Sequence, residues 1–239
     1  MDFYLTGGAA GSCFFVRPKD LADADAAAAA AGGGSLQADT NVITNGMPSL
    51  ALIRYVKGQE GYSKYGERHG NETFNTGGYG CAEPYQPKHY NMLKPFPCSE
   101  ETAAKVLMSQ ITDNFAVPLY KRLKKDGVDV ANMKQYQFDA LCSISMNCGL
   151  GGLTDGNQPN AIYPLIKKNI NDPQIAINMK KFRTKGGLKG LIKRRAWEAD
   201  MYTSGKYYFK PIVTIENRKY GPTITDNNGH GYMPNGWKG

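Results

Sequence analysis

Apolar positions recur at helical spacing in several stretches of the chain and lose that period between them. Leu52, Ile53 and Val56 share one side of a segment that Ser49 can cap, and Glu60 follows Val56 by about one turn. Ser99-Glu-Glu-Thr opens a second helix, with Ala103, Val106, Leu107 and Ile111 as its buried stripe. A third is predicted from Asn132, with Phe138, Leu141 and Cys142 inward and Gly149, Gly151 and Gly152 ending it. Asp172-Pro173 has the cap-plus-proline start of another. A last helix runs from near Leu191 to Tyr202 and stops at Ser204-Gly205. Residues 61 to 90 are rich in Gly, Tyr and Thr without helical period and suit short strands and turns. The pattern predicts an α+β domain over residues 47–204, mainly helical with one small sheet near its front.

The flanks read differently. Residues 1–46 form an Ala/Gly-rich arm in which the alanines 26 to 31 favour helix and Gly32-Gly33-Gly34 stop it. The run has no wide apolar face to anchor a core, so a tether or docking arm and a leader without a role are equal readings. Residues 205–239 form a C-terminal extension holding a β-like stretch, Pro211-Ile-Val-Thr-Ile, and a Gly- and Asn-rich tail.

Charge narrows the partners. The chain carries 29 Lys plus Arg against 21 Asp plus Glu, a net +8. The arm has Arg17 and Lys19 against five aspartates and the tail is basic, so the middle domain holds the excess. This favours polyanions: nucleic acid, anionic lipid or cell wall. No basic-aromatic constellation marks nucleic acid, and no apolar run reaches the ~18 residues of a membrane span. The acidic, glycine-broken start is unlike a secretory signal, so synthesis in the cytoplasm without a signal peptide is expected. Five irregularly spaced cysteines do not make a disulfide framework, although Cys81 and Cys98 could meet. His69, His89 and His230 form no HExxH, there is no zinc-spaced cysteine pair and no phosphate loop, so neither metal nor cofactor is expected.

Candidate chemistry lies between Lys57 and Gly80. Glu60 is placed at a helix C-terminus, where the macrodipole is negative. A partly desolvated carboxyl there should have a raised pKa and keep a proton for a leaving oxygen. By position alone, a surface glutamate closing a helix is the more ordinary reading.

Motifs reverse that weighting. Glu60-Gly61 followed by Thr76-Gly77-Gly78-Tyr79-Gly80 resembles the active-site hairpin of phage-type (T4-lysozyme-like) glycoside hydrolases of family 24. Gln137-Phe138-Asp139-Ala140-Leu141, continuing through Ser143 to Asn147-Cys148-Gly149, is similar to that family's central helix. Gly190-Leu191-Ile-Lys-Arg194-Arg195-Ala-Trp197-Glu198 to Tyr202 is similar to its final helix. The resemblance spans about residues 48 to 204.

The resemblance implies a muramidase that cleaves the β-1,4 bond between N-acetylmuramic acid and N-acetylglucosamine, without a cofactor. Glu60 would protonate the departing oxygen, and Thr76 would help hold a water attacking from the far face. A carboxylate or thiol between them would orient that water or stabilise charge, with room left for it as in inverting enzymes. Gly77, Gly78 and Asn147 would meet the glycan, although plain turn geometry explains the glycines equally well and a helix-end amide satisfying local backbone explains Asn147. The hairpin departs from the family pattern: Glu60 and Thr76 are sixteen positions apart, one more than expected, and counting in from either end reaches His69 or Gly70. Glu67 and Glu72 are the nearby carboxylates. Glu72 is preferred as closer to Thr76 and inside the turn-rich segment, with His69 as a neutral base in third place. Arg194 and Arg195 either supply a cation near Glu60 or the glycan or form a solvated helix face, the default for such a pair. Trp197, Phe138, Leu141 and Met146 read as core.

Two other outcomes stay open. Without the usual Asp, Glu60 alone could drive a lytic transglycosylase reaction. Alternatively the domain is a catalytically weakened, lysozyme-like docking or structural protein. The flanks point to delivery by a phage particle or a contractile injection machine. Residues 1–46 and 205–239 would then contact virion tail or secretion-apparatus proteins, with peptidoglycan in the periplasm as target.

Overall fold

Ser49 opens the first helix as its residue type requires: its Oγ accepts from the Leu52 amide at 3.1 Å. The computed structural model describes residues 35–37, 43, 46–68, 73–184, 188–218, 221–225 and 231–232. Strand β1 (Ser35–Gln37) is followed by helix α1 (Leu50–Glu60), which ends at Gly61 with φ +73°. The chain then forms β2 (Tyr62–Glu67), β3 (Thr76–Gly78) and β4 (Cys81–Ala82), antiparallel neighbours in that order. Helices α2 (Pro87–Met92) and α3 (Glu100–Ile111) follow, and a π-helical turn at Thr112–Ala116 joins α3 to α4 (Val117–Lys125). Next come α5 (Gln135–Thr154), α6 (Tyr163–Lys168), α7 (Gln174–Lys181) and α8 (Lys189–Ser204). Strand β5 (Lys206–Tyr208) pairs antiparallel with β1. Strand β6 (Thr214–Arg218) runs parallel to β2, and β7 (Gly221–Thr225) and β8 (Gly231–Tyr232) extend the sheet to the order β4-β3-β2-β6-β7-β8. The class is α+β, mainly helical with a sheet beside the helices.

The helix stripes became the core. Leu52, Ile53, Val56, Leu107, Ile111, Phe138, Leu141 and Cys142 are all fully buried or nearly so. Boundaries moved where side chains compete with helix. Asn132 does not start α5: its amide and its Nδ2 donate to Asp129, which holds it in a turn, and the helix begins three residues later. Gly149, at φ +75° and ψ 158°, kinks α5 rather than ending it, and helix resumes to Thr154. Helices α2, α4 and α6 were absent from the sequence pattern. Each has a proline in its first two positions, and α2 and α6 have six residues each, too short to show a period. Among the described residues no helix is long and apolar enough to cross a membrane.

Asp139, completely buried, ties three elements together. It accepts from the Ser49 amide at 3.2 Å, from Ser49 Oγ, from Gln135 Nε2 at 2.9 Å and from Tyr207 Oη at 2.6 Å. Burial pushes its carboxyl above the usual range despite these donors. Residues beyond 204 thus join the main body: Tyr207 and Phe209 are buried, and β6 lies along β2.

The 210 region also presses on α1. A Cβ added at Gly58 would stand 2.6 Å from the Lys210 carbonyl oxygen. Gly→Ala inside a helix ordinarily gains about 0.5–1 kcal/mol. Here the clash with backbone should outweigh that gain. Gly58→Ala is expected to cost about 1–2 kcal/mol in urea denaturation, whereas Gly151→Ala, with open space around it, should cost nothing. A stabilised Gly58 variant would show that the contact yields freely.

Candidate active site

Glu60 is the last residue of α1, and its side chain is 34% exposed. The glycine that follows turns the chain into β2, and the hairpin returns to the same place. A Cβ built on Gly80, itself at φ +79°, would lie 3.7 Å from Glu60 Oε2. The Tyr79-Gly80 turn is therefore beside the carboxylate, with no side chain in between.

The other wall comes from α8. Arg194 Nη1 meets Glu60 Oε1 at 3.1 Å, Arg194 Nε donates to Glu198 Oε1 at 3.2 Å, and its Nη2 reaches the Ser143 carbonyl at 3.4 Å. Glu198 also accepts from Ser143 Oγ at 2.5 Å and from Arg195 Nη1. Arg195 closes the ladder by donating to the Phe182 carbonyl at 3.1 Å and to Asn147 Oδ1. The expectation of a solvated face for the arginine pair is overturned: Arg195 and Glu198 are 0% exposed and Arg194 11%. Spacings of three and four residues set Glu198 against both guanidiniums, and that compensation is what makes burial tolerable. Burial alone would loosen Arg194's hold on its proton, but Glu198 and Glu60 outweigh it and tighten that hold.

A second ion pair fixes the hairpin. Lys57, one turn before Glu60 and 1% exposed, places Nζ 2.8 Å from Glu100 Oε1, which also accepts from Tyr79 Oη. Burial opposes ionisation of Glu100, but these two donors hold its carboxyl below the usual range. The clamp joins α1, the start of α3 and the turn that carries Gly80. A lysine three positions before Glu60, inside an otherwise apolar stripe, was the signal available for it.

On the hairpin, Thr76 is in register with Glu67 on one side and Ala82 on the other. A Cβ on Gly66 would strike Tyr90 Oη and Phe96, and one on Gly77 would crowd Phe96 and Leu93. Alternation along the strands turns Glu67 and Thr76 to the opposite face. Thr76 is buried there and Glu67 exposed. A pair directly opposed in this way has Cβ atoms about 4.5–5.5 Å apart. The side that a Cβ would occupy is filled by Phe96 and Leu93 at Gly77, and by Leu93 and Ala103 at Gly78, which also has φ +59°. Asn147 is exposed two residues before the Gly149 kink in α5, with its Oδ1 engaged by Arg195. Glu72 and His69 lie outside the described residues.

Cys81, Cys98, Cys142 and Cys148 are free thiols, so Cys81 and Cys98 do not pair. Among the described residues no group of three His, Cys, Asp or Glu could hold a metal ion.

A family model described as phage lysozyme matches residues 57–198. No curated protein matches the chain. The span runs from the lysine that holds Glu100 to the glutamate that joins the two arginines, and it contains Glu60 and the whole hairpin. With more than half of its length inside that match, the chain belongs to the phage lysozyme family, whose lysozyme-like function is hydrolysis of peptidoglycan.

Proposed function

We propose that this protein is a muramidase in which Glu60 is the general acid. The observation that carries the reading is the meeting of three parts at one carboxylate: the end of α1, the Gly80 turn and Arg194. In this reading Glu60 passes its proton to the glycosidic oxygen as the C1–O bond breaks. A water supported by Thr76 forms the new C1–O bond from the far face and gives up its proton to a second carboxylate. Arg194 then holds the ionised Glu60. Gly77 and Gly78 through their backbone, and Asn147 through its amide, would contact sugar.

The second carboxylate comes from the end of β2 or from the segment between β2 and β3. Glu72 is nearer to Thr76 in sequence. Glu67 is supported by register, since it faces Thr76 across the strand pair. Glu67→Gln is expected to lower kcat on purified peptidoglycan at least about tenfold, within the range of a lost proton acceptor, with Glu72→Gln near wild type. The reverse result transfers the role to Glu72. If both variants keep full activity, mass spectrometry should show anhydro ends, the mark of a transglycosylase working through Glu60 alone.

Residues outside the domain supply the means of delivery in this proposal: carriage on a phage particle or injection by a contractile machine. Deleting residues 1–34, which spares the β1 pairing, should release the protein from its particle and leave activity on purified wall. Continued incorporation of the truncated protein would sink docking through that arm.

A further inference from the structure

Trp197 sits on the outer side of α8 between cations. Its ring stacks on Tyr208, 5.3 Å between centroids and 18° apart in plane. Lys193 Nζ lies 4.8 Å and Lys210 Nζ 5.5 Å from its centroid, and Lys206 Nζ lies 4.7 Å from that of Tyr208. One face of the indole is thus taken by Tyr208 and two ammonium groups lie over the ring, so it is no open platform for a sugar. Its effect is to fix where the two charges stand.

That place borders the acid. Lys210 Nζ donates to Gln59 Oε1 at 2.7 Å, one residue before Glu60, and Lys193 precedes Arg194 in α8. The positive charge is only partly balanced locally, by Glu60. Lys193 is exposed, and among the described residues neither lysine has a carboxylate at salt-bridge distance. Glu60 is engaged by Arg194 and Glu198 is sealed inside the ladder, while Asp200 accepts from Tyr208 Oη. Burial first, then repulsion from Arg194 and Lys193, weakens Lys210's hold on its proton, and the attraction of Glu60 offsets this only in part. An anion bound there would relieve the crowding.

We propose that Lys193 and Lys210, held over Trp197, form a subsite for an anionic group carried by the glycan beside the scissile bond, namely the carboxylates of the peptide stem on N-acetylmuramic acid. The inference rests on the muramidase reading, since it is the glycan that brings the carboxylate to the patch. Wall phosphodiester shares the chemistry but is not tied to the sugar being cut.

The test uses binding, so it does not depend on turnover. The full chain carrying Glu60→Gln, with and without Lys193→Gln and Lys210→Gln together, is titrated against three insoluble substrates. These are intact peptidoglycan freed of phosphodiester polymer, the same glycan stripped of stem peptides by an amidase, and wall retaining its phosphodiester polymer. Glutamine keeps most of each stem over the indole. The parent should bind intact peptidoglycan about tenfold more tightly than stripped glycan, the order that two charge pairs at the protein surface supply. The double variant should lose that preference and match the parent on stripped glycan. Lys193→Arg with Lys210→Arg should restore it. Equal weakening on both substrates, or no weakening on either, overturns the subsite. A preference that follows the phosphodiester instead overturns the carboxylate assignment. If wild type releases no reducing ends while the binding preference holds, the muramidase reading fails and the anion subsite stands.

Discussion

Glu60→Gln is expected to lower the release of reducing ends from purified peptidoglycan by about 10³-fold, in the range measured when a general acid is removed. That is roughly 4 kcal/mol of barrier. Glutamine keeps the shape of the side chain and an oxygen that can still accept from Arg194, so the walls of the site have no reason to move. What it lacks is the proton. Stability should barely change, because the Glu60–Arg194 pair has a third of the glutamate side chain in water, and such pairs contribute at most about 1 kcal/mol. Activity lost with an unchanged urea midpoint would assign the acid. A variant that still cuts would remove Glu60 from the chemistry. If wild type and variant are both folded and both inactive, the domain is the weakened, docking form of a lysozyme.

Local signals carried most of the fold. Ser49 and Ser99 announce α1 and α3 because capping depends only on residues a turn away, and both caps are made. The stripes of α3 and α5 were legible for the same reason. What was not legible depended on partners far along the chain. The burial of Arg195 follows from Glu198, Phe182 and Asn147 together, and no window of sequence holds all three. The tie between Asp139 and Tyr207 crosses 68 positions and draws the residues after 204 into the body. At the proposed site, the motifs point to Glu60 and Thr76. They do not say which of Glu67 and Glu72 stands opposite Thr76: β2 carries an irregularity between Ser63 and Glu67, and it is the strand pairing that puts Glu67 in register with Thr76.

The largest effect on stability is expected at Glu198. It is 0% exposed and accepts from Ser143 Oγ, Arg194 Nε and Arg195 Nη1. Glu198→Ala leaves Arg195, also 0% exposed, with its hydrogen bonds to Phe182 and Asn147 but without the opposite charge that compensates its burial. Removing one member of a buried pair costs about 3–5 kcal/mol. Domains of this size hold about 5–15 kcal/mol in all, so the variant should unfold at much lower urea and is best compared below 20 °C or so, where the fold survives. Glu198→Gln separates charge from shape. It keeps one acceptor for Ser143 and Arg194 but turns an amide NH2 toward the Arg195 guanidinium, so it should also destabilise, by less than alanine. Replacing both partners, as Arg195→Met with Glu198→Leu, removes the uncompensated charge altogether. The pair should then be less damaging than either single change, a coupling of more than 1 kcal/mol or so in a double-mutant cycle. Additive losses would mean that water reaches Arg195 and that the ladder is not dry. Glu198 has no contact with the glycan in the proposed reaction. While the Glu198→Gln protein stays folded, its kcat should therefore fall only as far as Arg194 drifts from Glu60, which places the ladder behind the acid rather than in the chemistry.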